Sequence, residues 1–248
     1  MRPTLGPRRV DQRLAVPAYF RPGPEWQRVT AASFANGSPL VGMVVINMDS
    51  GPGKVPLPEY LPAIAAARAN GADVVAYVDT NNGKRSHGEV VAEIERYREW
   101  YGPVGYFFDR AHVVDQNVGA YFSSLCGYVK AIDANSTVVV NAGVYVSEPY
   151  MSIADIVVDF EGPCDRYVSA GAPPAWRSKY DPSRFWHIVY DVPSTAVPRV
   201  VNTAAVRRTG WLYVTDQAID DAERDTYLYG RLPDGATWGQ LRRLLGFG

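Results

Sequence analysis

Seven short apolar runs in this chain each stop on a carboxylate or an amide side chain. Two of them, Gly105–Asp109 and Ile156–Glu161, end on an acid after a stretch with the pattern of a buried strand. The other five stop on Asn47, Asp79, Asn141, Asp191 and Asp216. Polar side chains at the ends of parallel strands form the active sites of α/β barrels. The pattern therefore predicts a barrel with these side chains gathered at one end.

The order of the apolar runs supports the same fold. Eight predicted strands alternate with helical patterns, and 248 residues match the length of one (β/α)8 barrel, about 250 residues. We predict the strands at Val16–Phe20, Val41–Ile46, Asp73–Asp79, Val104–Asp109, Thr137–Asn141, Asp155–Glu161, Phe185–Asp191 and Trp211–Thr215. The prediction is a single (β/α)8 TIM-type barrel over residues 16–248, preceded by an N-terminal extension over residues 1–15.

Capping signals and apolar periodicity mark the helices. Ser86 and Glu89 form a capping box that begins the best-marked helix, which carries an apolar stripe. Further helices are predicted at Pro58–Ala69, Val118–Ile132, Val197–Arg208 and Thr237–Leu245. The Pro-rich segment Pro163–Ser183 is predicted to be a long irregular loop over the barrel mouth with one helical turn.

Charge and hydropathy argue against several partners. A net charge of −1 argues against electrostatic capture of nucleic acid or of an anionic membrane. No apolar stretch approaches the ~18 residues of a membrane span, so no membrane insertion is predicted. Met1–Arg13 is basic without an apolar core, which predicts no secretory signal in this chain. These features leave the cellular location and the oligomeric state open.

Several common chemistries lack their residues here. The three histidines have no metal-binding spacing, and neither a Gly-x-Ser-x-Gly elbow nor a phosphate-binding loop occurs. We therefore predict no metal and no cofactor. Cys126 and Cys164 give no disulfide framework. Cys126 is predicted to be a buried thiol, and a bridge between the two is left open because it depends on geometry.

Asp109 and Glu161 are the predicted catalytic pair. Because side chains alternate along a strand, Asp109 shares the inward face with Phe107, and Glu161 shares it with Asp159 and Val157. One strand separates the two, so their ends lie ~10 Å apart along the sheet at a spacing of ~4.8 Å per strand. Convergence across a curved barrel brings them to the ~5–9 Å that paired carboxylates need for glycoside hydrolysis. The competing interpretation is that each acid caps backbone or pairs with arginine.

Further polar and aromatic residues follow the same strand ends. The predicted substrate-binding set is Tyr19, Asn47, Tyr77, Asp79, Thr80, Arg110, Asn141, Tyr145, Asp191 and Asp216. The tyrosines offer rings to stack on sugars, and the polar side chains offer hydrogen bonds to hydroxyl groups. For Asn47 loop capping is an equal alternative, and it is also an alternative for Asp79, Asn141, Asp191 and Asp216. Barrel core is the alternative for at least one of the tyrosines.

With these residues in view, the chain resembles the spherulin-4-like family of glycoside hydrolases. The likeness runs in order from about Val16 to Asp216. It is carried by Val16–Phe20 with Trp26, Val45–Asn47 with Ser50–Gly53, Ala76–Thr80 with Arg85, Ile94–Trp100, Gly105–Asp109, Val140–Gly143 and Ala154–Glu161. The resemblance implies a metal-independent (β/α)8 barrel that cuts an α-linked galactosamine-containing exopolysaccharide of a biofilm matrix. It also implies action outside the cell or at its surface.

By this resemblance, Asp109 and Glu161 fall on the catalytic carboxylates of the family. We assign Asp109 as nucleophile and Glu161 as general acid/base in a retaining mechanism. One position departs from the family, where a second acid often follows the strand-end aspartate and this chain has Arg110. A neighbouring guanidinium favours the ionised form of Asp109, which suits a nucleophile. The opposite assignment of the two roles stays open.

The sequence leaves three functions to test. The first is a hydrolase of a polysaccharide containing galactosamine or N-acetylgalactosamine. The second, prompted by Arg110, is an inactive or altered barrel that binds carbohydrate. The third is a hydrolase of a different bacterial wall or capsule glycan.

Overall fold

The computed structural model describes residues 10–31, 34–35, 37–102, 104–112, 117–219 and 228–247. Its strands are β1 (Arg13–Ala18), β2 (Phe34–Ala35), β3 (Ser38–Pro39), β4 (Val41–Ile46), β5 (Asp73–Asp79), β6 (Gly105–Asp109), β7 (Val138–Asn141), β8 (Ile156–Pro163), β9 (Phe185–Tyr190) and β10 (Trp211–Val214). Eight of them close into a parallel barrel in the order β1, β10, β9, β8, β7, β6, β5 and β4. The predicted (β/α)8 barrel is therefore confirmed, while β2 and β3 form a short antiparallel ribbon outside it.

Helices follow most of the barrel strands. They are α1 (Pro24–Thr30), α2 (Tyr60–Ala69), α3 (His87–Tyr101), α4 (Asn117–Ile132), α5 (Cys164–Ser169), α6 (Val197–Val206) and α7 (Gly235–Leu244). The predicted capping box begins α3, because Ser86 Oγ accepts from the Glu89 backbone and the Glu89 carboxylate accepts from the Ser86 backbone. In the part of the chain that the structure covers, no helix is long and apolar enough to cross a bilayer.

Two local features differ from the sequence prediction. The segment predicted as an irregular loop from Pro163 to Ser183 contains α5 and two 3-10 turns, and β8 runs into it as far as Pro163. Helix α1 was not predicted, because the breaker-rich run before Pro24 masked a helix that begins with proline at its first position. Cys126 and Cys164 are both free thiols, with Cys126 buried as predicted, so the bridge left open by the sequence is absent.

Large aromatic side chains fill the barrel interior beneath its mouth, which we define as the end where the strands have their carboxyl termini. Phe107 lies between Tyr77, at a ring-centroid distance of 6.2 Å, and Trp186, at 5.5 Å. The intervening Tyr106 faces outward and donates its hydroxyl hydrogen to a backbone carbonyl of α3. Because side chains alternate, Asp109, two residues beyond Phe107, faces the interior at the mouth.

Gly105 begins β6 at the opposite end of the barrel and leaves no room for a side chain. A Cβ atom built there would lie 2.5 Å from the Thr137 carbonyl oxygen and 2.8 Å from Val75 Cγ1. Both neighbours belong to or adjoin the flanking strands, and one of them is backbone, so the strand cannot relax locally. The absence of a side chain at this position is therefore a condition for closing the barrel around β6.

We expect Gly105→Ala to destabilise the protein by about 1–3 kcal/mol through overpacking, measured as a lower midpoint of urea unfolding. Gly127→Ala is the matched control, because a Cβ atom on that residue of α4 meets nothing within 4 Å. It should be neutral or stabilising by up to about 1 kcal/mol through helix propensity. Equal midpoints for the two variants would show that β6 tolerates the added methyl group.

Candidate active site

Asp109 and Glu161 meet at the barrel mouth through one shared donor. Asn141 Nδ2, at the end of β7, donates to Asp109 Oδ1 at 2.7 Å and to Glu161 Oε2 at 2.6 Å. Since one nitrogen contacts both, these two oxygens are separated by at most about 5.3 Å, the two hydrogen bonds laid end to end. Asn141 is buried, whereas both carboxylates keep some solvent exposure. Two acids with access to solvent therefore face a common space.

Two tyrosines take the remaining oxygens of the pair. Tyr77 donates its hydroxyl hydrogen to Asp109 Oδ2 at 2.8 Å. Tyr229, from the segment after β10, donates to Glu161 Oε1. Tyr19 lies between them, with ring centroids 5.5 Å from each and nearly perpendicular planes. The three rings thus form one wall of the site, and the hydroxyl groups of the buried Tyr77 and Tyr229 hold both carboxylates in fixed orientations.

Burial raises the pKa of both carboxyl groups. At Asp109 the effect of burial is opposed by hydrogen bonds from Tyr77, from the Arg110 backbone and from Asn141. At Glu161 burial is reinforced by the negative charge of Asp109 and opposed by Tyr229 and Asn141. Asp109 therefore has more donors to stabilise its charge, whereas at Glu161 the negative charge of Asp109 adds to the effect of burial.

Arg110 forms its ion pair with Asp79 and not with Asp109. Its guanidinium forms a two-point ion pair with Asp79, with Nε 2.6 Å from Asp79 Oδ1, and it is half exposed. Burial raises the pKa of Asp109, so this guanidinium, which is paired with Asp79, does not outweigh the burial of Asp109. Asp79 also accepts from the Asn81 backbone at 2.8 Å, and its pKa is lowered because these hydrogen bonds outweigh its burial.

Two predicted substrate-binding residues tie loops instead. Thr80 is fully buried, and its hydroxyl lies 2.8 Å from the Asp109 carbonyl oxygen and 3.0 Å from that of Arg110. It therefore fixes the backbone that carries Asp109 and does not face a substrate. Asn47 is buried and accepts from the Gly51 backbone at 2.9 Å, which is the loop-capping alternative.

The remaining predicted residues lie around the mouth in different roles. Asp216 pairs with Arg231 at 2.7 Å and accepts from the Asp234 backbone at 2.9 Å, so it clamps the segment that delivers Tyr229. Asp191 is exposed at the end of β9. Tyr145 faces away from the pair, with its ring 6.5 Å from that of His187 and its hydroxyl buried.

The inward face predicted for the strand of Glu161 needs a correction. Glu161 does face the barrel interior, but Asp159 points outward and lies 2.8 Å from Arg177 Nε. Val157 also faces outward, because it pairs with Phe185, whose ring lies against the Arg177 guanidinium at 3.9 Å. The reason is an irregularity in β8 between Val158 and Phe160, which breaks the alternation of side chains.

Sequence reasoning missed Tyr229 entirely. Its hydrogen bond to Glu161 joins residues 68 positions apart, and no local pattern marks it. The one sequence feature that could have pointed to this segment is Asp216, an acid at a strand end. In the structure Arg231 pairs with Asp216, and Gln217 Nε2 donates to the Arg231 carbonyl oxygen at 2.9 Å, so both contacts fix the chain next to Tyr229. Among the described residues, no group of histidine, cysteine and acidic side chains is arranged to hold a metal ion.

A closed parallel barrel with paired carboxylates at its mouth defines a TIM-type barrel protein with a candidate acid–base site. The family model described as spherulation-specific family 4 matches residues 13–243. The chain belongs to spherulation-specific family 4. Spherulin-4 from Physarum polycephalum is 29% identical to it over 215 residues, which is 83% of this chain. The chain spans 64% of the length of that relative.

Solved structures share the barrel. Sph3 from Aspergillus clavatus, solved in complex with GalNAc, superposes with a TM-score of 0.74 at 22% identity. The match covers 95% of this chain and 98% of that one. An FMN-binding beta-glucuronidase from Facaelibacterium prausnitzii L2-6 matches with a TM-score of 0.56 at 9% identity, covering 97% of this chain and 44% of that one. At these identities the likeness establishes the fold.

The raised pKa of Glu161 predicts a cost to stability. A carboxyl group whose pKa is higher in the folded than in the unfolded protein loses stabilisation as pH rises through that folded value. Glu161→Gln mimics the neutral form, and its amide can donate to Tyr229. We expect its melting temperature to exceed that of the wild type at pH 7, with the difference shrinking as pH falls toward about 4.3, the ordinary glutamate pKa. A variant that is less stable at pH 7 would contradict this.

Proposed function

We propose that this protein is a glycoside hydrolase that cleaves an α-linked polysaccharide containing galactosamine or N-acetylgalactosamine, with retention of anomeric configuration. The observation that carries the proposal is the pair Asp109 and Glu161, in which the two oxygens that Asn141 contacts lie at most about 5.3 Å apart. Retaining glycosidases hold their carboxyl groups about 5–5.5 Å apart, whereas inverting ones leave about 6.5–9.5 Å for a water molecule. The spacing favours direct attack by one carboxylate.

Asp109 is assigned as the nucleophile and Glu161 as the general acid/base. Asp109 accepts hydrogen bonds from Tyr77, Asn141 and the Arg110 backbone, which favour its ionised form. Glu161 has fewer donors, and the charge of Asp109 raises its pKa further, which suits a proton donor. These contacts replace the Arg110 guanidinium as the reason for the assignment.

The reaction then has two steps. Asp109 attacks the anomeric carbon, the glycosidic bond breaks, and the leaving oxygen takes the proton of Glu161. The Glu161 carboxylate next removes a proton from water, whose oxygen attacks the same carbon and releases Asp109. Each step inverts the anomeric centre, so the product keeps the configuration of the substrate. Asn141 contacts both acids throughout and can follow the negative charge from one to the other.

The substrate class is supported by a solved structure that shares the barrel. Sph3 carries this barrel over 98% of its length and was solved with GalNAc. Tyr19 keeps partial exposure beside the buried Tyr77 and Tyr229, so its ring is the apolar surface near the acids that is suited to the face of a sugar ring. A panel of purified wall and capsule glycans distinguishes this substrate from another polymer.

The second candidate function is carbohydrate binding without turnover. Arg110 favours it, because a cation stands next to Asp109 at the mouth. Its pairing with Asp79 leaves the two acids in contact with Asn141 and the tyrosines. Binding of oligosaccharide without release of reducing ends, unchanged in Arg110→Glu, would select this function.

We expect Asp109→Asn to abolish the release of reducing ends from a galactosamine-rich polymer. Glu161→Gln should lower the rate by about 10²–10⁴-fold, the usual contribution of a general acid. Proton NMR of the first product should show the anomer of the substrate. Arg85→Lys is the control. Arg85 pairs with Glu93 and not with either of the two acids, and the substitution keeps its positive charge, so this variant should stay active. Full activity in both acid variants would remove the proposal.

Tyr229 should set the alkaline limit of activity. Its hydroxyl stabilises the ionised form of Glu161, so Tyr229→Phe raises the pKa of Glu161 further. The alkaline limb of the kcat/KM profile should then move to higher pH while the acidic limb stays. Tyr213→Phe, whose ring lies 5.8 Å from that of Tyr229, is the control and should leave both limbs in place. A shift to lower pH in Tyr229→Phe would contradict the role of Glu161 as acid.

A further inference from the structure

Strand β8, which carries Glu161, has one extra residue relative to the neighbouring strand β9. In the pairing of β8 with β9, Val158 lies opposite Trp186 and Phe160 lies opposite His187. Asp159, between them, is opposite no residue of β9. This arrangement is a β-bulge, and bulges are common beside active sites, where they redirect a side chain.

The bulge decides which way Glu161 points. Val158 shares its register with Trp186, whose ring lies inside the barrel against Phe107. Phe160 points outward, where its ring lies 4.7 Å from that of Tyr167. In a regular strand that begins with Val158 inward, Phe160 would face inward and Glu161 outward. The extra residue reverses this order, because a shift of one residue exchanges the two faces of a strand.

The extra residue is held by a buried cluster of charged and polar side chains. Asp159 Oδ2 lies 2.8 Å from Arg177 Nε, and Asp159 Oδ1 lies 3.1 Å from His187 Nε2. The exposed fractions of the three side chains are 1%, 4% and 0%. The ion-pair contacts of these three side chains are with one another and not with Asp109 or Glu161, so their burial needs another explanation.

Further bonds fix this cluster to the surrounding helices and loops. Tyr167, on α5, places its hydroxyl 2.8 Å from His187 Nδ1. Arg177 donates to the Arg207 carbonyl oxygen, and Arg207 donates to the Tyr167 carbonyl oxygen at 2.8 Å. The chain around β8 is thus tied at several points to the one residue that makes the bulge.

The same bulge sets the position of Glu161 relative to Asn141. The Val158 carbonyl oxygen accepts from the backbone of Ala142 at 3.2 Å and of Gly143 at 3.1 Å. The Glu161 backbone in turn donates to the Gly143 carbonyl oxygen at 2.9 Å. A change of register at Asp159 would therefore move Glu161 away from the Asn141 amide as well as turning it outward.

We propose that the Asp159–Arg177–His187 cluster is a positioning device that fixes the bulge in β8 and so turns Glu161 into the barrel mouth. A buried ion pair gives a fold little stability compared with apolar side chains of similar size. A role in fixing the register of β8 explains why the ion pair is present. In a strand shifted by one residue, Asp159 would lose its partners, and the unpaired buried charge would raise the free energy of that register. The catalytic consequence rests on the proposed function, whereas the placement of Glu161 does not.

The test follows Glu161 directly. In protein labelled with ¹³C at glutamate carboxyl groups, the Glu161 signal is the one missing from Glu161→Gln, and its titration is recorded in each variant. The titratable groups that influence Glu161 are Asp109, Tyr19, Tyr190 and Tyr229, and all stay in place in the variants used. In the wild type the signal should titrate above the ordinary glutamate range. In Asp159→Asn it should return toward that range.

Asp155→Asn is the matched control. Asp155 precedes the same strand at its other end, where it pairs with Lys130 at 2.7 Å and accepts from the Val138 backbone at 2.8 Å. It should leave the Glu161 titration unchanged. If Asp159→Asn does not fold, Tyr167→Phe removes only the hydroxyl beside His187 and should produce a smaller shift in the same direction.

Kinetics provide the second readout. Asp159→Asn should lower kcat by about 10²-fold with KM nearly unchanged, the loss expected when a reacting group moves by about 1 Å. A folded Asp159→Asn or Tyr167→Phe in which Glu161 titrates as in the wild type would overturn the proposal. The two proposals can fail separately. If the wild type is inactive on every galactosamine glycan but Asp159→Asn still shifts the Glu161 titration, the proposed function is rejected and the positioning role stands.

Discussion

The Asn141 amide nitrogen is the contact on which the site depends. Strand β7 lies between β6 and β8 in the barrel, so strand order alone places Asn141 between Asp109 and Glu161. An amide nitrogen carries two hydrogens, which matches two carboxylate acceptors. Neighbouring acids in a low-dielectric site do not ionise together easily, and the pKa of each of these two acids is raised. The strand order therefore sets the position of Asn141, and Asn141 in turn fixes the distance between the two acids.

Much of the fold could be predicted because the barrel strands repeat a regular pattern. Apolar runs that stop on polar residues identified seven of the eight barrel strands, and alternation placed Asp109 inward on the regular strand β6. The eighth strand, β1, runs from Arg13 to Ala18, so the prediction of Val16–Phe20 began three residues late. The same rule fails on β8, where a bulge turns Asp159 outward and leaves Glu161 inward. A bulge depends on contacts with Arg177 and His187, which are distant in sequence, so strand periodicity cannot reveal it.

The site was less predictable than the fold, because its polar contacts join distant segments. Tyr229 reaches Glu161 from beyond the last strand, and its placement depends on the ion pair between Asp216 and Arg231. Arg110 follows Asp109 in the chain yet pairs with Asp79 on the neighbouring strand. Because Arg110 follows Asp109 in the sequence, we expected its charge to act mainly on Asp109, but its ion pair is with Asp79. The positions of the acids at strand ends did indicate that they lie near one another.

The account is tested most directly by trapping the covalent intermediate. A 5-fluoro galactosaminyl fluoride keeps the 2-amino group and slows release of the sugar from a retaining enzyme, and peptide mass spectrometry identifies the labelled residue. We predict one sugar per chain, attached to Asp109. A sugar attached to Glu161 would reverse the two roles, and an inverted product with no labelled residue would contradict the mechanism itself.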